Sequence, residues 1–352
     1  MSILDQQQER LNFDLDKFYD KEYTFRCYEE NLRFLKDEYF RASVVGKHNI
    51  PFCEAEKRPV IFVGNHSGMG LSWDNITFDM ALYDLLKDHY NGDVNKALNQ
   101  KLRRLVSPNL IEDNKVIPFD IPNWWRRLRC APINMETFEQ AMQAGGFIYV
   151  SPEGVPGIAK GFNNRYRLQP YSSSFLLMAK KYNALVIPIS IVNAEYLAPF
   201  NYKIDLVNQV LGKIGYPFFP VGPAWAQLAF PATYLTAAPA KLTYVIHEPI
   251  EYEATEVLDR EGLKEEAKKF REKHQKLLDE SVELFHQPYD LKSLFSSFKR
   301  SKKKKMYLPF FWHEMFLKTE GMPSYGQALY KVPVGFPLVK AYRWWFDKTN
   351  NT

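Results

Sequence analysis

A histidine and an aspartate bracket a glycine-rich loop in Gly64-Asn65-His66-Ser67-Gly68-Met69-Gly70-Leu71-Ser72-Trp73-Asp74. Imidazole has a pKa suited to taking a proton from a hydroxyl as that oxygen attacks an activated carbonyl. A carboxylate behind it fixes the tautomer and stabilises the imidazolium that forms. The chain has no Gly-x-Ser-x-Gly nucleophile elbow. None of its three cysteines is placed to pair with a histidine. The nucleophile would then be the hydroxyl of an acceptor, with His66 as general base and Asp74 as its partner. Asp74 also stands where a helix begins, and a capping role there is compatible with the catalytic one. Asp79 is the alternative carboxylate.

A second block follows a short apolar run: Val150-Ser151-Pro152-Glu153-Gly154-Val155-Pro156-Gly157, then Lys160, Arg165-Tyr166-Arg167. A glycine leaves its backbone open to close approach, and a glutamate can hydrogen-bond a hydroxyl. The same residues are also good turn chemistry.

Together the two blocks, NHSGMGLSWD and PEGVPGIAKGFNNRYRLQ, resemble those of the glycerolipid acyltransferase family (lysophosphatidic acid acyltransferase-like), closest to its bacterial branch. The resemblance spans roughly residues 58–250 and continues through Leu185-Val186-Ile187-Pro188-Ile189. It implies transfer of a fatty acyl group from acyl-CoA or acyl carrier protein, as co-substrate and without a further cofactor, to a glycerolipid or lysophospholipid hydroxyl. By the same resemblance Asn65, Ser67 and Gly68 line the substrate site, and Glu153 and Gly154 contact the acceptor. Arg129, in Arg-Leu-Arg-Cys-Ala-Pro, stands where the family often places a phosphate ligand. Lys160, Arg165 and Arg167 are candidates for phosphates of acceptor or carrier, with solvated loop charge as the alternative. One departure stands out. Better-known branches put the carboxylate where Leu71 stands here, so a longer loop must return Asp74 behind the imidazole. A thioester hydrolase and a non-catalytic lipid-binding protein are the rival readings.

The loop needs a rigid support. Pro59–Val63, Phe147–Val150 and Leu185–Val192 are compact apolar runs suited to strands buried on both faces. Helical periodicity covers 73–90, 135–144, 172–182 and 257–286. This alternation predicts an α/β fold with a central, mostly parallel sheet flanked by helices over 58–255. Amphipathic helices are expected in 1–57, and a long helix with a basic-aromatic extension in 256–352. Lys241–Ile250 reads as a possible edge strand. His247 and His274 read as structural, and His313-Glu314 lacks the second histidine of a zinc-protease helix, so no metal is expected.

With 46% apolar and 25% charged residues the chain has enough apolar side chain for a sizeable core. Cys27, Cys53 and Cys130 form no paired motif, which fits a reducing compartment. The start lacks a signal-peptide pattern, and no run of eighteen or more apolar residues occurs, so a peripheral protein on the cytoplasmic side of a membrane is expected. Two segments suggest membrane lipid as a partner. Residues 214–240 are uncharged, aromatic and carry five prolines; they suit an interface or an acyl-chain tunnel. Residues 299–305, KRSKKKK, lead into further aromatics, and each cation adds ~1 kcal/mol of attraction to anionic lipid. No sequence-reading nucleic-acid module appears, so nucleic acid is not expected as a partner.

Overall fold

The computed structural model describes residues 15–68, 70–111, 123–204, 220–223, 235–253 and 259–312. Their framework is a seven-stranded sheet in the order β1-β9-β6-β2-β5-β3-β4. The strands are β1 (Ser43–Val45), β2 (Val60–Gly64), β3 (Arg103–Val106), β4 (Cys130–Pro132), β5 (Phe147–Val150), β6 (Leu185–Val192) and β9 (Thr243–Ile246). A separate two-stranded ribbon pairs β7 (Tyr202–Lys203) with β8 (Pro220–Val221). Strands β6, β2, β5, β3 and β4 run parallel. β9 pairs antiparallel with β6, and β1 follows β9 in its direction. The expected mostly parallel α/β sheet is therefore present.

Helices cover both faces. Besides short helices at Phe52–Ala55, Val94–Gln100, Pro108–Ile111 and Trp124–Arg127, they include α1 (21–39), α2 (Trp73–His89), α3 (Met135–Ala144), α4 (Gly154–Ile158), α5 (Ser174–Lys181), α6 (Arg260–Phe285) and α7 (Leu291–Arg300). α1 is wound as π-helix over Cys27–Leu32 and Leu35–Tyr39. Because successive side chains alternate across a strand, Val60 and Phe62 join the core built with α1 and α2. Ile61 and Val63 join the one built with α3, α5 and α6. α6 buries Leu263, Ala267, Phe270, His274, Leu278 and Ser281, a helical stripe of steps of three and four. Asp259 starts it by accepting from the backbone N–H groups of Glu261 and Gly262.

Four strands depart from the sequence expectation. β3 and β4 lie within 100–133, where Arg103 and Arg104 break the apolar signal. β1 follows α1 where only helix was expected. β9 is an inner strand, because β1 covers its outer edge. α1 and β1 thus share the core of the 58–255 region, as α6 does through β6.

The buried Arg104 explains how a charged strand is tolerated. Asp79 Oδ2 lies 2.9 Å from Lys101 Nζ and 3.3 Å from Arg104 Nη2, and accepts from Tyr28 Oη at 2.7 Å. Lys101 Nζ also donates to Leu128 O at 2.7 Å. Burial lowers the Lys101 ammonium to about 8, although Asp79 opposes it. This cluster ties α1, α2 and β3 together and commits Asp79 to structure, not to His66. Asp79→Ala strands two buried cations, so a loss of about 3–5 kcal/mol is expected, read as a lower denaturant midpoint at unchanged slope.

Candidate active site

β2 ends at Gly64, and the chain turns there over the carboxyl edge of the sheet, the edge where parallel sheets gather ligand sites. A Cβ on Gly64 would lie 2.3 Å from Tyr149 Oη, so no side chain fits. Asn65 is wholly buried. Its amide donates to Ile191 O at 3.1 Å, and its side-chain oxygen accepts from Ile191 N at 2.7 Å. These bonds extend the β2–β6 pairing by one side chain. Asn65 thus anchors the loop to β6.

His66 follows, partly exposed at the rim. Its backbone N donates to Glu153 Oε1 at 2.8 Å, while Gln169 N donates to Glu153 Oε2 at 2.7 Å. Glu153 is only 2% exposed. Burial raises its pKa against the Lys160 charge and the two backbone donors. Both carboxylate oxygens are engaged by the protein, so Glu153 locks the two motif blocks together. Gly157 allows this approach. A Cβ there would stand 2.5 Å from Glu153 Cβ and 2.9 Å from His66 Cβ. Gly157→Ala must push the blocks apart, so both Tm and kcat should fall, Tm by the equivalent of about 1–3 kcal/mol and kcat by ~10-fold or more. Thermal unfolding beside steady-state kinetics checks this.

Asp74 lies in the first turn of α2 and is fully buried. Ser67 Oγ donates to its Oδ1 at 3.0 Å, and Tyr244 Oη donates to its main-chain oxygen at 2.6 Å. The longer loop does bring the carboxylate back beneath the His66–Ser67 turn, but the bond it makes is to Ser67. Among the described residues, His66 Nδ1 and Asp74 Oδ2 are both buried without a hydrogen-bond partner. Burial raises Asp74 to about 6, against the Ser67 hydroxyl and the Asn75 backbone N–H. Burial, then the Lys160 charge, lowers His66 to about 4, so the imidazole is neutral near pH 7.

Lys160 is buried, with Nζ 3.2 Å from Glu195 Oε1 and 4.0 Å from Glu153 Oε2. Glu195 Oε1 also accepts from Tyr166 N at 3.0 Å. Sequence reasoning passed over Glu195; its place three residues beyond a buried strand, on the ligand-gathering edge, was the available signal. Gly154 has a φ of 56° and, like Gly68, open space where a Cβ would be.

Two expected ligands lie elsewhere. Arg129 donates to Asp16 and to the carbonyls of Asn99 and Lys101, so its guanidinium is spent at the outer end of the sheet. Arg165 is exposed, with its guanidinium 5.0 Å from the centre of the Phe162 ring. His274 is a satisfied core histidine, in contact with Tyr171 Oη at 2.8 Å and Ile189 O at 3.1 Å. His247 contacts Ser190 Oγ at 2.8 Å. Among the described residues no cluster of three His, Cys, Asp or Glu is arranged to hold a metal ion. Most of 214–240, including Tyr216, Phe218, Phe219, Trp225, Phe230 and Tyr234, lies outside the described residues, as do His313 and Glu314.

No family model matches the chain. An uncharacterized protein of Mycobacterium leprae is 29% identical over 256 residues, covering 70% of this chain and 62% of that protein. An uncharacterized protein of Mycobacterium bovis is 28% identical over 256 residues, covering 70% and 64%. The chain therefore spans less than two thirds of the length of these relatives. Among solved structures, the 1-acyl-sn-glycerophosphate (LPA) acyltransferase PlsC from Thermotoga maritima superimposes with a TM-score of 0.37 at 17% identity, covering 78% of this chain and 83% of that one. A superposition that loose carries no argument about chemistry.

Proposed function

We propose that this chain is an O-acyltransferase that moves a fatty acyl group from a thioester of coenzyme A or acyl carrier protein to a hydroxyl of a glycerolipid or lysophospholipid. The observation that carries the proposal is the meeting of the two motif blocks. His66 and Glu153, 87 residues apart in sequence, are joined by a 2.8 Å hydrogen bond at the carboxyl edge of β2.

In this reading the acceptor hydroxyl approaches the exposed side of His66. The imidazole removes its proton as the oxygen attacks the thioester carbonyl. The imidazolium is stabilised by Asp74, whose free Oδ2 and the free Nδ1 of His66 become each other's partners, directly or through one water. Collapse of the tetrahedral intermediate breaks the carbon–sulfur bond, and His66 returns the proton to the departing thiolate. The open backbones at Gly68 and Gly154 line the approach of acceptor and oxyanion. Asn65, Glu153 and Gly157 hold the loop, and burial, assisted by the Lys160 charge, keeps the resting imidazole uncharged.

We place the reaction on the cytoplasmic side of a membrane, with the protein peripheral to it. The three cysteines, which form no disulfide, suit a reducing compartment, and no helix among the described residues is long and apolar enough to cross a bilayer. The test is thiol release from palmitoyl-CoA and palmitoyl-acyl carrier protein with and without lysophospholipid or glycerol 3-phosphate. Release that depends on the acceptor supports transfer. Release that ignores it, with free fatty acid as the product, makes the protein a hydrolase.

A further inference from the structure

Helix α7 carries an apolar stripe that the described residues leave largely uncovered, with Phe298 alone packed edge-on against the Tyr307 ring. Of its ten residues only Ser297 is buried. Leu291, Phe295 and Phe298 are 60%, 63% and 38% exposed, and steps of four and three put them on one side of the helix. Leu308, 56% exposed, extends the apolar surface beyond the helix end. Isolated exposed apolar residues are ordinary, whereas a helical row of them marks a contact surface.

The charge around this row is one-sided. Residues 291–312 contain seven lysines and arginines and no aspartate or glutamate. All seven cations are exposed. Lys304 Nζ lies 5.8 Å from the centre of the Phe298 ring, so charge and ring share one surface.

The stripe is also held in place. Asp290 caps α7 by accepting from Ser293 N at 3.0 Å, and pairs with Lys241 Nζ at 3.3 Å. Tyr289 Oη donates to Tyr196 O at 2.9 Å. Beyond the lysines, Trp312 is buried with its ring centre 5.4 Å from that of Trp73, beside Asp74. Tyr196 lies just past the carboxyl end of β6, so α7 starts from the same sheet edge that carries His66.

We infer that α7 and the lysine segment after it form an interfacial anchor for an anionic lipid bilayer, with Leu291, Phe295 and Phe298 inserted at the headgroup–acyl boundary and the cations at the level of the phosphates. A polyanion such as nucleic acid matches the lysines and leaves the apolar row unused. A second copy of this chain matches the row and sets like charge against like charge. An anionic bilayer matches both. The inference stands on the surface alone and does not depend on the chemistry of His66.

The experiment is co-sedimentation of the full chain with vesicles of phosphatidylcholine alone, or of equal parts phosphatidylcholine and phosphatidylglycerol, across a salt series. Wild type is expected to sediment with the mixed vesicles, less as salt rises, and to stay in solution with phosphatidylcholine. Phe295→Ser with Phe298→Ser, and separately glutamine at Lys302, Lys303, Lys304 and Lys305, should each weaken partitioning ~10-fold or more. Thermal unfolding should shift little in both variants, because the replaced side chains are exposed and their contacts, such as Lys303 Nζ with Glu30 O and Phe298 with the Tyr307 ring, lie at the surface. Wild type that stays in solution with anionic vesicles overturns the inference, as do variants that bind like wild type. A dimer dispersed by the phenylalanine variant without vesicle binding, or nucleic-acid binding without vesicle binding, also overturns it.

Discussion

Acyl transfer by His66→Ala is expected to be about 10²–10⁴-fold slower than by wild type, with thermal unfolding unchanged. The two halves of that expectation come from different atoms. The bond that fixes the loop runs from the His66 backbone to Glu153, and alanine keeps it. Alanine also keeps the Cβ that packs against Gly157. The Nδ1 atom lost from the ring has no hydrogen-bond partner among the described residues, so its removal breaks none of the bonds that hold the two motif blocks together. What disappears is the imidazole that takes the hydroxyl proton in the proposed mechanism. Thiol release measured beside a melting curve checks both halves. A rate near wild type removes the general base from the mechanism, and a collapse in Tm alongside lost activity would make the histidine a structural residue.

Asp74→Asn should also be nearly inactive, by about 10²–10⁴-fold in kcat, yet no less stable. An imidazole held at about 4 is a weak base. It takes a proton effectively only if the charge it acquires is met by a negative group, and Asp74 is the buried carboxylate under the same loop. Because burial raises Asp74 to about 6, activity should fall as pH drops through that value, where the carboxylate protonates. The neutral state of His66 is already secured well above its own titration, so this acid limb belongs to Asp74 and should vanish from the residual activity of the asparagine variant. The stability sign runs the other way. A carboxyl whose folded pKa exceeds its unfolded value favours folding below about pH 4, and that stabilisation is lost as pH rises through about 6. At pH 7 the ionised Asp74 is therefore a cost, and replacing it with asparagine should raise stability by about 1–3 kcal/mol. An asparagine variant that is active, or that loses stability near pH 7, would contradict this assignment.

Much of this site could be read from the chain because local pattern and chemistry agreed. Strands β2, β5 and β6 are short, apolar and buried on both faces, so composition marks them. The loops that follow two of them contain the His, Glu and Gly residues whose spacing is unusual for simple turns. The roles inside the site were less legible. Asn65 and Glu153 have the side chains of substrate ligands, but their oxygens meet backbone N–H groups of Ile191, His66 and Gln169, partners supplied by distant segments. Arg129 suited a phosphate by type, whereas Asp16, from a part of the chain with no motif, claims it. β3 escaped because Arg103 and Arg104 look like surface until Asp16 and Asp79 are seen beside them. Glu195 needed the strand order before its position beside Lys160 had meaning.

The most direct test of the central claim is transfer of a labelled palmitoyl group from its thioester to lysophosphatidic acid, other lysophospholipids or glycerol 3-phosphate by purified wild type, with His66→Ala run in parallel. Labelled ester formed by wild type and lost in the variant is the expected result. Free fatty acid as the sole product, or equal ester from both proteins, would contradict an acyltransferase that works through His66.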